Sequence, residues 1–140
     1  GAAPGITDLA SGHIPMMTPN VGGPLLQFHR TGKVRILAVC AKKRLQAAPD
    51  IPTAEEAGLP GMVAANFNGL FAPAGVPKDI IDLIANETRT AMADKALQEQ
   101  MITQGFEPVL DSGPEEAQRE TLSELERWTP IVKKIGFKQG

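Results

Sequence analysis

The chain has 140 residues, of which 42% are hydrophobic and 21% charged, and its formal net charge is -2. This length suffices for one ordinary domain with a hydrophobic core. The slightly acidic balance argues against nucleic acid and anionic membranes as partners, because both attract clustered basic residues. No stretch approaches the roughly 20 apolar residues that a membrane span requires. Cys40 is the only cysteine, which excludes an intrachain disulfide and a cysteine-based zinc site.

The first part of the chain predicts alternating helices and strands. The stretch "GITDLASG" predicts a short helix that ends at Gly12. The stretches "HIPMMT" and "VRILAVC" predict strands on either side of a helix within "NVGGPLLQFHRTGK", which is expected to end at Gly32. The residues from Val34 to Cys40 are nearly all apolar, which is typical of a strand buried on both faces of a parallel sheet. We expect a right-handed βαβ crossover, with a further strand before residue 1.

The middle of the chain predicts a connector, a strand and two helices. Residues 41–61 contain three prolines and one small helix, whose Thr53 and Glu56 have the spacing of a capping box before Gly58. The stretch "NFNGLFA" predicts a strand. Pro77 suits the first position of the next helix, and Asp94 suits the cap of the helix that follows, which is expected to end before Gly105.

The last part of the chain predicts the short strand "FEPVL" and a long helix. Pro114 and the two glutamates after it suit the positive end of that helix's dipole. Pro130 is expected to kink or break the helix. Its apolar stripe consists of Leu122, Leu125, Val132 and Ile135.

No residue pattern predicts catalysis or a metal site. His13 and His29 lack a neighbour with triad or ligand spacing, so ordinary surface or boundary positions are expected for both. Cys40 ends a predicted buried strand and is interpreted as a small core residue. The basic run from Lys42 to Arg44 is interpreted as a solvated loop. We therefore predict a protein that is not an enzyme and that needs no cofactor.

Two loops rich in small residues are more informative than any acid or base. "GAAPG" precedes the first helix, and "TPNVGGP" joins a predicted strand to the next helix. In open α/β sheets, ligands bind outside the carboxyl ends of strands, where helix N-termini present unpaired N–H groups to anions. These loops suit a carboxylate, although the same glycines and prolines also suit plain tight turns.

The order of five blocks resembles that of the extracytoplasmic solute receptors of tripartite tricarboxylate transporters, or Bug-type receptors. The blocks are "GAAPGITDLASGHIPMM", "GKVRILAV", "PDIPTAEEAGLPG", "NGLFAPAGVPKDII" and "ALQEQMITQGFEPV". The resemblance implies an α/β protein with an incomplete periplasmic-binding-protein type II fold, of which this chain is the C-terminal half. It implies that residues 1–65 are part of the second lobe. Residues 66–140 would then be a crossover strand and C-terminal helices that pack on an absent first lobe.

The resemblance also implies a site and a function. Small organic carboxylates would bind through main-chain groups and bridging waters from loops of both lobes. The two asparagines of the crossover strand, Asn66 and Asn68, would either contact the ligand, where relatives have an aromatic ring, or complete the hinge. The expected ligand-binding residues are Gly1, Ala2, Ala3, Pro4, Thr18, Pro19, Asn20, Asn66 and Asn68. The function implied is a periplasmic receptor, secreted by a signal peptide not present here, that delivers its ligand to the membrane subunits of a transporter.

Two alternatives to transport come from other classes of protein. The same fold could act as a sensor or interaction module that signals to a partner protein, or as an enzyme acting on a small acid. A binding assay, a pull-down and a turnover assay would separate the three. The chain alone is also expected to form a homodimer or to swap elements, because a half receptor exposes apolar surface.

Overall fold

A computed structural model describes residues 2–137, and five helices form within that range. Helix α1 spans Ala2–Ala10, α2 spans Gly23–Arg30, α3 spans Lys78–Met92, α4 spans Lys95–Thr103 and α5 spans Pro114–Ile135. The chain divides into two compact units. Unit 1 comprises Gly1–Asn68 and Lys95–Pro108, and unit 2 comprises Gly69–Asp94 and Val109–Gly140. Helix α4 therefore clusters with the first 68 residues, whereas the predicted division into two lobes stays a prediction.

Helices α1 and α2 end at the predicted glycines. Gly12 has φ +78°, its N–H donates to the carbonyl of Leu9, and the N–H of His13 donates to that of Asp8. At the end of α2, Gly32 has φ +73°. Its N–H donates to the carbonyl of His29, and the N–H of Lys33 donates to that of Phe28. This arrangement satisfies carbonyls that lack a partner in the helix, and the positive φ favours glycine.

The predicted strands differ most from the structure. Within residues 2–137 no β-ladder forms, and the segment 34–40 makes a single parallel bridge, between Val39 and Thr53. Only Val39 of this segment is buried, while Leu37 is 72% exposed, so the prediction of a strand buried on both faces is wrong for this chain. A strand requires ladder hydrogen bonds to another strand, and among the described residues segment 34–40 has such a partner only at Val39.

The hydrophobic core of unit 1 surrounds the only buried position of segment 34–40. Val39 packs in a cluster with Leu26 of α2 and with residues of the connector that follows. The backbone N–H of Val39 donates to the carbonyl of Pro52, and its carbonyl accepts from the N–H of Ala54. The other members of this cluster are Leu45, Ala48 and Ile51. The connector is therefore part of the core and not a loose loop.

The predicted capping box in the connector is confirmed. The N–H of Thr53 donates to Glu56 Oε2 at 2.8 Å, and the N–H of Glu56 donates to Thr53 Oγ1 at 3.2 Å. The small helix expected here is reduced to hydrogen-bonded turns that end at Gly58, which has φ +93°. Arg44 completes the arrangement, since its Nε lies 2.8 Å from Glu56 Oε2 and its Nη1 donates to the carbonyl of Pro49.

Unit 2 consists of α3, α5 and the segments around them. Pro77 lies one residue before the position predicted for it, because α3 begins at Lys78. Helix α5 has Pro114 at its start, glutamates in its first turn and lysines in its last, which suits the helix dipole. Pro130 lies within α5 without ending it, so the predicted break does not occur. A proline removes one helical hydrogen bond, and the helical bonds before and after it sustain α5.

Many large apolar side chains of both units are exposed. Besides Leu37, they include Met16 at 77% in unit 1 and Leu70 at 74% in unit 2. Much of the apolar stripe of α5 is also exposed, with Ile135 at 68%. Exposed apolar side chains that lie together commonly mark surfaces that another protein segment covers. In residues 2–137 no helix has the length and apolar character to cross a membrane.

Candidate functional site

The first group of predicted ligand-binding residues lies at the start of α1. Gly1 lies outside the described residues. The predicted loop at "GAAPG" is replaced by helix, because Ala2, Ala3 and Pro4 form the first turn of α1. Alanine is the best helix former and proline is tolerated in a first turn, which explains the longer helix. The N–H groups of a first helical turn still lack helical acceptors, so this end of α1 keeps the capacity for an anion that the loop was expected to have.

The second group of predicted residues lies in the loop 18–22 that leads into α2. Thr18 and Asn20 are exposed and Pro19 is half-buried. Gly22 is the cap residue of α2, with φ -136° and ψ 172°, and no side chain caps the helix. This end of α2 is therefore free of a side-chain acceptor of its own, as an anion-binding end requires.

A hydrogen bond joins the second group to the third. Nδ2 of Asn66 donates to Oδ1 of Asn20 at 2.8 Å, across 46 positions of the sequence. Both side chains are exposed, and so is Asn68, which makes no hydrogen bond to the other two predicted asparagines. The structure thus brings Asn20 and Asn66 together and leaves Asn68 apart from the pair, while the ligand-binding role of all three stays a prediction.

The amide pair retains hydrogen-bonding groups for a ligand. Asn20 has used its oxygen and keeps two N–H donors, while Asn66 keeps its carbonyl acceptor and one N–H donor. Among the described residues neither asparagine forms a further side-chain hydrogen bond. Amide N–H groups suit a carboxylate oxygen, and an amide carbonyl suits a hydroxyl or ammonium group of the same ligand.

Segment 104–107, directly after α4, contacts the loop before α2, and the sequence did not predict this. The carbonyl oxygen of Val21 would lie 2.5 Å from a Cβ placed on Gly105, and Gln104 Oε1 would lie 2.8 Å from a Cβ placed on Gly23. Glu107 accepts from the backbone N–H of Gln46 at 2.8 Å and from its side chain at 2.7 Å. Gly105 was predicted only as the end of a helix, because sequence spacing does not show what a turn touches.

The residues considered for catalysis have structural neighbours. His29 Nδ1 accepts from the backbone N–H of Ile36 at 3.2 Å, and its Nε2 lies 3.8 Å from a carboxylate oxygen of Asp50. His13 is exposed and lies 3.6 Å from Asp8. Cys40 is half-buried and free. These contacts account for both histidines as local structure, without a nucleophile beside either.

The carboxylates with altered acidity serve helix and turn starts. The backbone N–H of Thr53 is the main cause that lowers the pKa of Glu56, and the Arg44 guanidinium adds to it. The pKa of Glu116 is lowered by the backbone N–H groups at the start of α5 and by Arg119. In residues 2–137 no three His, Cys, Asp or Glu side chains are grouped as a metal site would need. Two shallow surface depressions follow α4 and α5, and no predicted ligand-binding residue lines them.

The comparisons with known proteins bear on the whole chain. Residues 1–137 match the family described as "Tripartite tricarboxylate transporter family receptor". Protein BugT of Bordetella pertussis is 30% identical over 138 residues, which is 99% of this chain and 42% of BugT. The solved structure of the periplasmic binding protein BugD matches with a TM-score of 0.81 and 28% identity, over 100% of this chain and 47% of that one.

A further solved structure was determined with a ligand. MatC from Rhodopseudomonas palustris with bound malate matches with a TM-score of 0.79 and 27% identity, over 94% of this chain and 45% of that one. The chain thus spans less than half the length of these relatives. The matches confirm the predicted resemblance and the predicted fold class, an incomplete periplasmic-binding-protein fold. They are matches to receptors and binding proteins.

Proposed function

Because the chain belongs to the tripartite tricarboxylate transporter receptor family, we propose that it forms the C-terminal part of a longer periplasmic receptor for a small organic carboxylate. The receptor would deliver this ligand to membrane subunits of a transporter. The observation that carries the proposal is the hydrogen bond between Asn20 and Asn66. It joins the loop before α2 to the segment expected to cross between lobes, and it leaves donors and an acceptor for a ligand.

The electrostatics of the loop residues support a carboxylate held by neutral groups. No acidic side chain occurs in residues 18–23, and none occurs in residues 2–7 at the start of α1. An anionic ligand near these helix ends would meet N–H donors and positive helix dipoles, and residues 2–7 and 18–23 contribute no carboxylate that would repel it. Each charge-assisted hydrogen bond of this kind is stronger than a neutral one.

The ligand class follows from the relatives as well as from the chemistry. The family description concerns tricarboxylates, and one matched structure contains malate, which is a hydroxy dicarboxylate. The carbonyl of Asn66 suits such a hydroxyl, since it is the acceptor that the pair leaves free. Malate, succinate and citrate therefore form a useful panel, because they separate the hydroxyl group from the number of carboxylates.

Calorimetric titration of the full-length protein that carries residues 1–140 tests the proposal. We expect at least one member of the panel to bind, and Asn66→Ala to weaken it by about tenfold, which corresponds to about 1.4 kcal/mol. Asn86→Ala serves as the control, because Asn86 is an exposed asparagine of α3 whose side chain accepts only from Arg89. Binding that Asn66→Ala leaves unchanged would remove the amide pair from the site, and absence of binding by the wild type would overturn the carboxylate proposal.

A further inference from the structure

The residues that follow α4 pack against the loop that precedes α2. Gly105 is the critical contact, because a Cβ on this residue would lie 2.5 Å from the carbonyl oxygen of Val21 and 3.4 Å from Cα of Gly22. The backbones of the two segments therefore touch with no side chain between them. This close approach requires glycine for a reason that is separate from its dihedral angle.

The position of Gly105 is fixed by the end of α4. Its N–H donates to the carbonyl of Ile102, and the N–H of Phe106 donates to that of Met101. With φ +86°, Gly105 is the left-handed residue of this helix end. Glu107, two residues later, is bonded twice to Gln46. The segment is thus anchored on both sides of the glycine, which makes it a firm support.

Gln104 adds a second contact with the same loop. If Gly23 carried a Cβ, the Oε1 of Gln104 would lie 2.8 Å from it. The backbone oxygen of Gln104 would lie 3.8 Å from a Cβ added to Gly22. Gly22 and Gly23 are the cap and the first residue of α2. Gln104 therefore lies against the start of α2, two to three residues after Asn20 in the sequence.

We propose that Gln104 and Gly105 are positioning residues that hold the loop 18–23 in its ligand-binding conformation. The role in binding rests on the proposed function, whereas the support of the loop is independent of it. Neither residue needs to touch the ligand. Their contribution is to keep the Asn20 amide and the start of α2 in one place, so that binding does not have to order the loop.

Replacing Gly105 by alanine has a defined geometric effect. Real Cβ atoms essentially never come within 3.0 Å of another heavy atom, so the Val21 carbonyl has to retreat by at least about 0.5 Å. Gly12 provides a matched control. It is also a left-handed glycine at a helix end in unit 1, with φ +78° and the same two hydrogen bonds, but nothing lies within 4 Å of its added Cβ.

Two measurements test the proposal with Gly105→Ala and Gly12→Ala. In ¹H–¹⁵N NMR spectra of the 140-residue chain, Gly105→Ala should shift the backbone amide signals of Thr18 and of residues 20–23, whereas Gly12→Ala should leave them in place. In calorimetry with malate, succinate and citrate, Gly105→Ala in the full-length protein should weaken binding at least tenfold, and Gly12→Ala should not change it. A loss of thermal stability is expected in both, so stability alone would not distinguish them.

A second variant covers the case in which Gly105→Ala does not fold. Gln104→Ala introduces no backbone strain and should weaken binding by about threefold, with Gln100→Ala, one turn earlier on α4, as its control. Unchanged loop signals in Gly105→Ala, or unchanged signals in Gln104→Ala, overturn the positioning role. If the wild type binds none of the three acids, the proposed function fails while the NMR comparison still decides whether the two residues hold the loop.

Discussion

Replacing two leucines by alanine, one at a time, tests how this chain uses its apolar residues. Leu26 of α2 is 1% exposed and belongs to the core cluster of unit 1. Leu37, on the segment predicted to be a buried strand, is 72% exposed. The two substitutions remove the same atoms, so any difference in their effect on the free energy of unfolding comes from burial.

The expected magnitudes differ several-fold. Leu26→Ala should cost about 2–5 kcal/mol, since it removes buried methyl groups and leaves a cavity. Leu37→Ala should stay within about 0.5 kcal/mol, because an exposed side chain gains little on folding. A small domain has roughly 5–15 kcal/mol of stability in total, so Leu26→Ala should remove a large part of it.

Urea unfolding followed by amide signals of unit 1 is the appropriate assay. Trp128 lies in α5 of unit 2, so its fluorescence would report the wrong unit. A change below about 0.5 kcal/mol for Leu26→Ala would refute the assigned core. The same substitution can be compared in the full-length protein. If the rest of the receptor covers Leu37 there, Leu37→Ala should destabilise it by more than about 1 kcal/mol.

Four further predictions concern the capping box, the amide pair and the exposed surface. Thr53→Ala should destabilise unit 1 by about 1 kcal/mol in urea unfolding, and an effect near zero would contradict the capping role. The pKa of Glu56 is lowered in the folded protein, so the carboxylate's contribution to stability is fully present above pH 4.5, its ordinary pKa. This contribution is lost as the pH falls through the lower pKa of the folded state. Glu56→Gln should therefore flatten the stability profile below about pH 5, and an unaltered profile would contradict this. A double-mutant cycle of Asn20→Ala and Asn66→Ala should give a coupling of about 0.5–1 kcal/mol in the free energy of unfolding, because the two side chains are hydrogen-bonded to each other, whereas strict additivity would contradict it. Light scattering of the isolated chain should show a dimer or larger species at high concentration, because its apolar side chains are exposed, and a monomer would contradict this.

The sequence predicted the helices because their signals are local. Gly12, Gly32 and Gly105 end helices where the pattern placed them, and the capping box of Thr53 and Glu56 is formed. Each of these depends on residues a few positions apart. The start of α1 was predicted three residues too late, since the glycine and proline around the two alanines resemble a loop.

The strands could not be predicted equally well, because a strand depends on distant partners. The composition of segment 34–40 indicates burial on both faces, yet Leu37 is exposed and Val39 alone forms a bridge. An apolar pattern indicates that a segment is suited to a buried environment. The described residues bury only part of segment 34–40. Known relatives more than twice as long as the matched region offer a physical reason for the difference.

The two loops of the candidate site were predicted from residue chemistry and from the resemblance, but the pairing of Asn20 with Asn66 was not predicted. Asn20 and Asn66 are exposed polar residues of loops, and no spacing rule connects positions 46 residues apart. The contact of Gly105 with Val21 was missed for the same reason, since a left-handed glycine in a sequence does not indicate which backbone it touches.

Native mass spectrometry of the full-length protein, purified without added ligand, tests the central claim most directly. We expect a bound species with the mass of a small organic carboxylate, which is released on denaturation and is reduced in Asn66→Ala but retained in Asn86→Ala. A ligand of another chemical class, or a carboxylate retained equally in both variants, would contradict it.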